Sequence, residues 1–86
     1  MIALTIYTRP GCHLCQEMKV IVLRVVRDTD AQARIEEIDI AGDPDLEARY
    51  GGEIPVLLVN GKKAAKYRVT EEALRRLIAQ GLRAEG

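Results

Sequence analysis

The chain has 86 residues, 48% of them apolar, with 13 basic and 13 acidic side chains and neither Phe nor Trp. A chain this short buries one modest core, so a single domain over 1–86 is expected, built from Ile, Leu, Val, Ala and Met with Tyr7, Tyr50 and Tyr67 as its only rings. Balanced charge with no aromatic-interleaved Lys/Arg cluster argues against nucleic acid as a partner, and the longest apolar run, residues 20–23, is far too short to cross a bilayer.

Ile2, Leu4 and Ile6 alternate with Ala3, Thr5 and Tyr7, the period of a strand, which the Arg9-Pro10-Gly11 turn ends. From Leu14 onward, Met18, Ile21, Val22, Val25 and Val26 fall at helical spacing, and a helix is preferred over a strand although the run is rich in β-branched residues. A polar stretch over 28–33 leads to a second strand at 35–40. Strand, helix and strand in this order imply parallel pairing through a right-handed crossover. Asp43-Pro44 starts a short helix, with Asp43 as cap and Pro44 preset for the first turn, and Gly51 or Gly52 stops it.

Residues 56–59, then Asn60-Gly61, then 62–67 read as a hairpin, because Asn-Gly accepts the positive φ of a type I′ turn. Thr70 caps a last helix with an apolar stripe at Leu74, Leu77 and Ile78. Gly81 is expected past its end, with 82–86 frayed. The order β-α-β-α-β-β-α makes an α/β domain, a four-stranded mixed sheet flanked by helices, which is the order of the minimal thioredoxin-like fold and differs from the ferredoxin-like β-α-β-β-α-β.

Cys12-His13-Leu14-Cys15 lies where the first strand hands over to the first helix. Disulfide exchange needs an attacking thiolate and a second thiol within reach to resolve the mixed disulfide, and C-x-x-C supplies both within one helical turn. Orphan N–H groups and the helix dipole favour an anion at a helix start, where a cysteine pKa falls to ~3.5–7.5. Cys12 is therefore the expected nucleophile and Cys15 the resolving thiol. A purely structural bridge fits poorly with a chain whose N-terminus lacks a basic-then-apolar leader pattern, so a reducing, cytoplasmic setting is expected. Arg9 brings positive charge towards the thiolate and an anionic substrate, unless it is only a solvated turn residue. A protonated His13 would stabilise the thiolate and make the protein more oxidising, unless it is only an exposed helix residue. Ile54-Pro55, entering the third strand, is a place for a cis peptide.

The stretch from Tyr7 through Cys15, with an aromatic and a basic residue ahead of C-x-x-C, resembles the active site of glutaredoxins and related redoxins. That resemblance covers nearly the whole chain. It implies that Pro55 is the cis-proline of the family, with Ile54 offering its backbone to a substrate. It also implies thiol–disulfide exchange acting on a disulfide-containing protein or a glutathione mixed disulfide; no tightly bound cofactor and no metal site are expected, although glutaredoxin-like proteins can share a metal or cluster between two protomers. Electrons would come from glutathione or from a reductase system, and the protein would work as a monomer.

Two departures stand out. Many glutaredoxins carry Pro-Tyr where this chain has His13-Leu14, and the glycine pair that helps them hold glutathione ahead of the last helix is replaced by Tyr67-Arg68-Val69-Thr70. Two other classes of function compete. One is a C-x-x-C module in which two protomers share zinc or an iron–sulfur cluster, since one chain offers two thiolates where four ligands are usual. The other is a docking module on a redox fold that has lost catalysis.

Overall fold

Alternation along the first strand decides how the sheet is loaded. Ile2, Leu4 and Ile6 are wholly buried on one face, while Ala3, Thr5 and Tyr7 are half-buried on the other. The computed structural model describes residues 1–85. Its order is β1 (Ile2–Thr8), α1 (His13–Thr29), β2 (Ala33–Asp39), α2 (Pro44–Tyr50), β3 (Val56–Val59), β4 (Lys62–Lys66) and α3 (Glu71–Glu85). The strands lie in the order β2-β1-β3-β4, with β1 parallel to β2 and antiparallel to β3, and β3 antiparallel to β4. This is the expected mixed four-stranded sheet.

The core lies between the sheet and α1 and α3. Ile2, Leu4, Ile6, Leu57 and Val59 from the strands meet Met18, Val22 and Val25 of α1 and Leu74 and Ile78 of α3. The β-branched run in α1 folds as a helix because its apolar positions at 15, 18, 22 and 25 form one buried stripe, and burial outweighs the weak local preference of Val for strands. No helix among the described residues is long and apolar enough to cross a membrane.

Local chemistry explains most boundaries. Asp43 Oδ1 accepts from the N–H groups of Asp45 and Leu46, so α2 starts at Pro44, and it ends against Gly51. Asn60 and Gly61 take φ of 51° and 83°, as a two-residue hairpin turn needs. Thr70 Oγ1 accepts from Ala73 N–H at 3.1 Å and caps α3.

Several boundaries differ from expectation. The first helix opens at His13, directly after Cys12 as expected, but runs on through the start of the expected polar link to Thr29, where Asp30 takes a left-handed cap (φ 54°). The second strand begins at Ala33 and ends at Asp39, because its parallel register with β1 starts by pairing Ile2 with Ala33. Tyr67 leaves β4 through a φ of 66°. Gly81 does not end the last helix but lies buried inside it. A Cβ there would stand 2.5 Å from Ile2 Cδ1 and 2.9 Å from Val59 Cγ1, so glycine serves the close approach of α3 to the sheet rather than its termination. Of the tail expected to fray, 82–85 are helical, and residue 86 lies outside the described residues.

Candidate active site

The turn after β1 delivers Cys12 to the mouth of α1. Gly11 takes φ 74°, and Cys12 N–H donates to Arg9 carbonyl oxygen at 3.3 Å, which folds the chain back so that Cys12 becomes the N-cap residue of α1. Its Sγ accepts from the backbone N–H of Cys15 at 3.1 Å. The two cysteines are joined as a disulfide, with their Cα atoms 5.2 Å apart. They are unequal: Cys15 is 3% exposed, whereas Cys12 is half-buried and faces out.

The helix starts show what this position favours. α2 has Asp45 and Glu47 in its first turn and α3 has Glu71 and Glu72, whereas the first turn of α1 carries no acidic residue. At α1 the group that meets the free N–H ends and the positive end of the dipole is the sulfur of Cys12 itself. Helix N-termini in general favour a thiolate over a thiol at such a position.

A cleft of about 250 Å³ beside the disulfide is lined by Thr8, Arg9, Gln16, Glu37 and Asp39 together with both cysteines. Arg9 reaches across to α2, its Nη2 lying 2.6 Å from Glu47 Oε2, so its charge is shared with that carboxylate. Asp39 Oδ1 accepts from Ala41 N–H at 2.8 Å, and Glu37 lies 3.6 Å from Lys19 Nζ. Tyr7 stacks on Tyr50 with ring centroids 4.6 Å apart, which together with the Arg9–Glu47 pair fastens α2 to the segment that carries the dithiol. His13 points outward along α1, its side chain 84% exposed and its Nε2 3.6 Å from Glu17 Oε1. Among the described residues no three His, Cys, Asp or Glu side chains converge to hold a metal ion.

The Ile54–Pro55 bond is cis, with Pro55 buried and Ile54 half-buried. Residues that carried no signal in the sequence hold this loop. Tyr67 N–H donates to the Pro55 carbonyl and Tyr67 Oη to the Gly52 carbonyl, each at 2.8 Å. Glu53 accepts from Lys63 and lies 3.6 Å from Lys66 Nζ, and the Lys63 hydrogen bond is the main reason its carboxyl is held below the usual glutamate range. The pairing of β3 with β4 shifts register between Leu57 and Leu58, and Lys63 and Lys66, three positions apart, both reach Glu53.

Comparison with known proteins agrees with this geometry. The model of the Glutaredoxin-like domain (DUF836) family matches residues 3–79. A glutaredoxin-like protein of Dictyostelium discoideum is 35% identical over 72 residues, which is 79% of this chain and 67% of that protein. An uncharacterized protein of Mycobacterium tuberculosis is 29% identical over 76 residues, 85% of this chain and 78% of its own length. Among solved structures, a structural-genomics target from X. campestris superposes with a TM-score of 0.71 at 28% identity, covering 90% of this chain and 96% of that one. Chloroplastic thioredoxin z superposes at 0.75 and 13% identity, over 96% of this chain and 80% of its own, a likeness of fold.

Proposed function

Since the chain belongs to the glutaredoxin-like domain family and has a thioredoxin-like fold, we propose that it is a thiol–disulfide oxidoreductase working through Cys12 and Cys15. The observation that carries the reading is the asymmetry of the pair: Cys12 Sγ sits at the N-cap of α1 and takes the Cys15 N–H, while Cys15 is buried one turn inside.

In the reduced protein the Cys12 thiolate attacks a substrate sulfur, a Cys12–substrate disulfide forms, and the displaced thiolate takes a proton from solvent. Cys15 then gives up its proton and attacks Cys12 Sγ, which regenerates the disulfide of the structure and releases the second substrate thiol. Two electrons pass to the substrate. Both thiols belong to one chain, so a monomer suffices. The cycle closes with electrons from glutathione or from a reductase system, in a reducing compartment such as the cytoplasm, and needs no tightly bound cofactor. Ile54, next to the cis-proline, is suited to pair its backbone with a substrate strand, and Tyr7 and Arg9 hold the segment leading to the dithiol.

The test is trapping. Cys15→Ser protein, incubated with a disulfide substrate, should accumulate a stable mixed disulfide at Cys12, visible by mass and lost on reduction. Cys12→Ser protein should accumulate little, because its remaining thiol is buried. Equal trapping by the two variants contradicts the assignment.

A further inference from the structure

From Gly52 to Pro55, the loop that carries the cis-proline is tied at every residue but one. Glu53 N–H donates to the Tyr50 carbonyl at 2.8 Å, and the Gly52 and Pro55 carbonyls accept from the Tyr67 hydroxyl and the Tyr67 N–H, each at 2.8 Å. The Glu53 side chain is held further by Lys63 and Lys66 of β4. Ile54 is the exception: among the described residues neither its N–H nor its carbonyl has a hydrogen-bond partner, although the residue is half-buried. An unpaired donor and acceptor on a fixed stretch of backbone are what an incoming strand pairs with.

Two of those ties come from one residue in a costly conformation. Tyr67 takes φ 66°, and Arg68 N–H donates across it to the Lys66 carbonyl at 2.7 Å, which makes Tyr67 the centre of a γ-turn of the rare positive-φ kind. A bulky side chain seldom adopts this φ, and glycine would make the turn at less cost. What glycine could not supply is the phenol. The turn aims the N–H and the hydroxyl of one residue at the two ends of the loop, and strain of this sort persists where its surroundings over-determine it.

We propose that Tyr67 is a positioning residue for substrate docking: it holds Gly52 and Pro55 so that Ile54 presents its N–H and carbonyl to an extended peptide beside the substrate disulfide. The inference rests on the exchange reading above and adds to it the residue that fixes the docking strand. It also names the substrate feature that is read, which is peptide backbone next to the disulfide rather than any one side chain. A disulfide without peptide backbone gains nothing from Tyr67. The two-electron exchange between the sulfurs runs as described above.

The experiment uses the full chain, reduced and freed of reductant, and three mixed disulfides that release the same chromophoric thiol. One carries a short cysteine peptide, one the same peptide N-methylated on either side of the cysteine, and one mercaptoethanol. Tyr67→Phe keeps the ring and the N–H but loses the hydroxyl. It should react about 2- to 10-fold more slowly than the parent with the plain peptide, the worth of one net hydrogen bond. With the mercaptoethanol disulfide it should match the parent, and its Cys12 should be alkylated with the parent's pH midpoint. The N-methylated peptide, poorer in backbone donors, should already be slow with the parent and lose little more with the variant. A loss shared equally by all three disulfides, or no loss with the plain peptide, overturns the positioning role and leaves the exchange reading standing. Failure of the parent to exchange with any of them overturns both.

Discussion

Replacing Gly81 with Ala tests how closely α3 is seated on the sheet, because two effects of opposite sign meet at one atom. In a free helix interior the change gains about 0.5–1 kcal/mol, since glycine gives up more backbone freedom on folding. Here the added Cβ would come within 2.5 Å of Ile2 Cδ1 and 2.9 Å of Val59 Cγ1. Ile2 is wholly buried and Val59 nearly so, which leaves neither side chain room to turn aside. Overpacking of a tight core costs about 1–3 kcal/mol. A further tie is at stake, because Asn60 Nδ2 donates to the Gly81 carbonyl at 3.2 Å while Asn60 Oδ1 accepts from Ala3 N–H at 2.9 Å, joining hairpin, helix and β1. The packing cost should prevail, for a net loss of about 1–2 kcal/mol. Urea unfolding of the oxidised protein, followed by far-ultraviolet circular dichroism, should show a lower midpoint with an unchanged slope. Ala79→Gly, at an exposed site in the same helix, is the control and should lose about 1 kcal/mol through propensity alone. A Gly81→Ala protein more stable than the parent would refute the close packing of α3 on the sheet.

Glu53 gives a pH signature. Its carboxyl is held below the usual range chiefly by the Lys63 hydrogen bond, so its contribution to stability is complete above the ordinary glutamate value and is lost as pH falls through its lowered folded value. The stability difference between the parent and Glu53→Gln, read by denaturant titration, should be constant near neutrality and shrink in acid; a difference that grew on acidification would reverse the sign. Stacking of Tyr7 on Tyr50 should appear as a coupling of about 0.5–1.5 kcal/mol in a double-mutant cycle to Leu, with additive losses as the contrary result.

Much of the fold was legible because it rests on short-range chemistry. Alternation gave β1, Asp43-Pro44 the start of α2, Asn60-Gly61 the hairpin, and Thr70 the start of α3. Each is a side chain or φ preference acting within four residues. The dithiol was legible for the same reason, since its chemistry is set by spacing and by its place at a helix start. What escaped depends on partners far along the chain. Gly81 reads locally as a helix stop, and only the approach of Ile2 and Val59 makes it an interior residue. Tyr67 follows a strand without any turn signal, and its positive φ is accompanied by hydrogen bonds to Gly52 and Pro55, twelve or more positions away. Arg9 sits three residues before Cys12, yet its guanidinium is drawn to Glu47, which no local pattern foretells. His13 lies between the cysteines in sequence, but its side chain is exposed and lies along α1 with Nε2 3.6 Å from Glu17.

The central claim, that the pair is a working dithiol with divided roles, is tested most directly by alkylation of the fully reduced protein as a function of pH, with each modified cysteine located by mass. The N-cap seat of Cys12 and the burial of Cys15 predict that Cys12 reacts first, with a midpoint well below the ordinary thiol value of about 8.5, while Cys15 lags at every pH. Two cysteines that titrate together near about 8.5, at similar rates, would contradict the account.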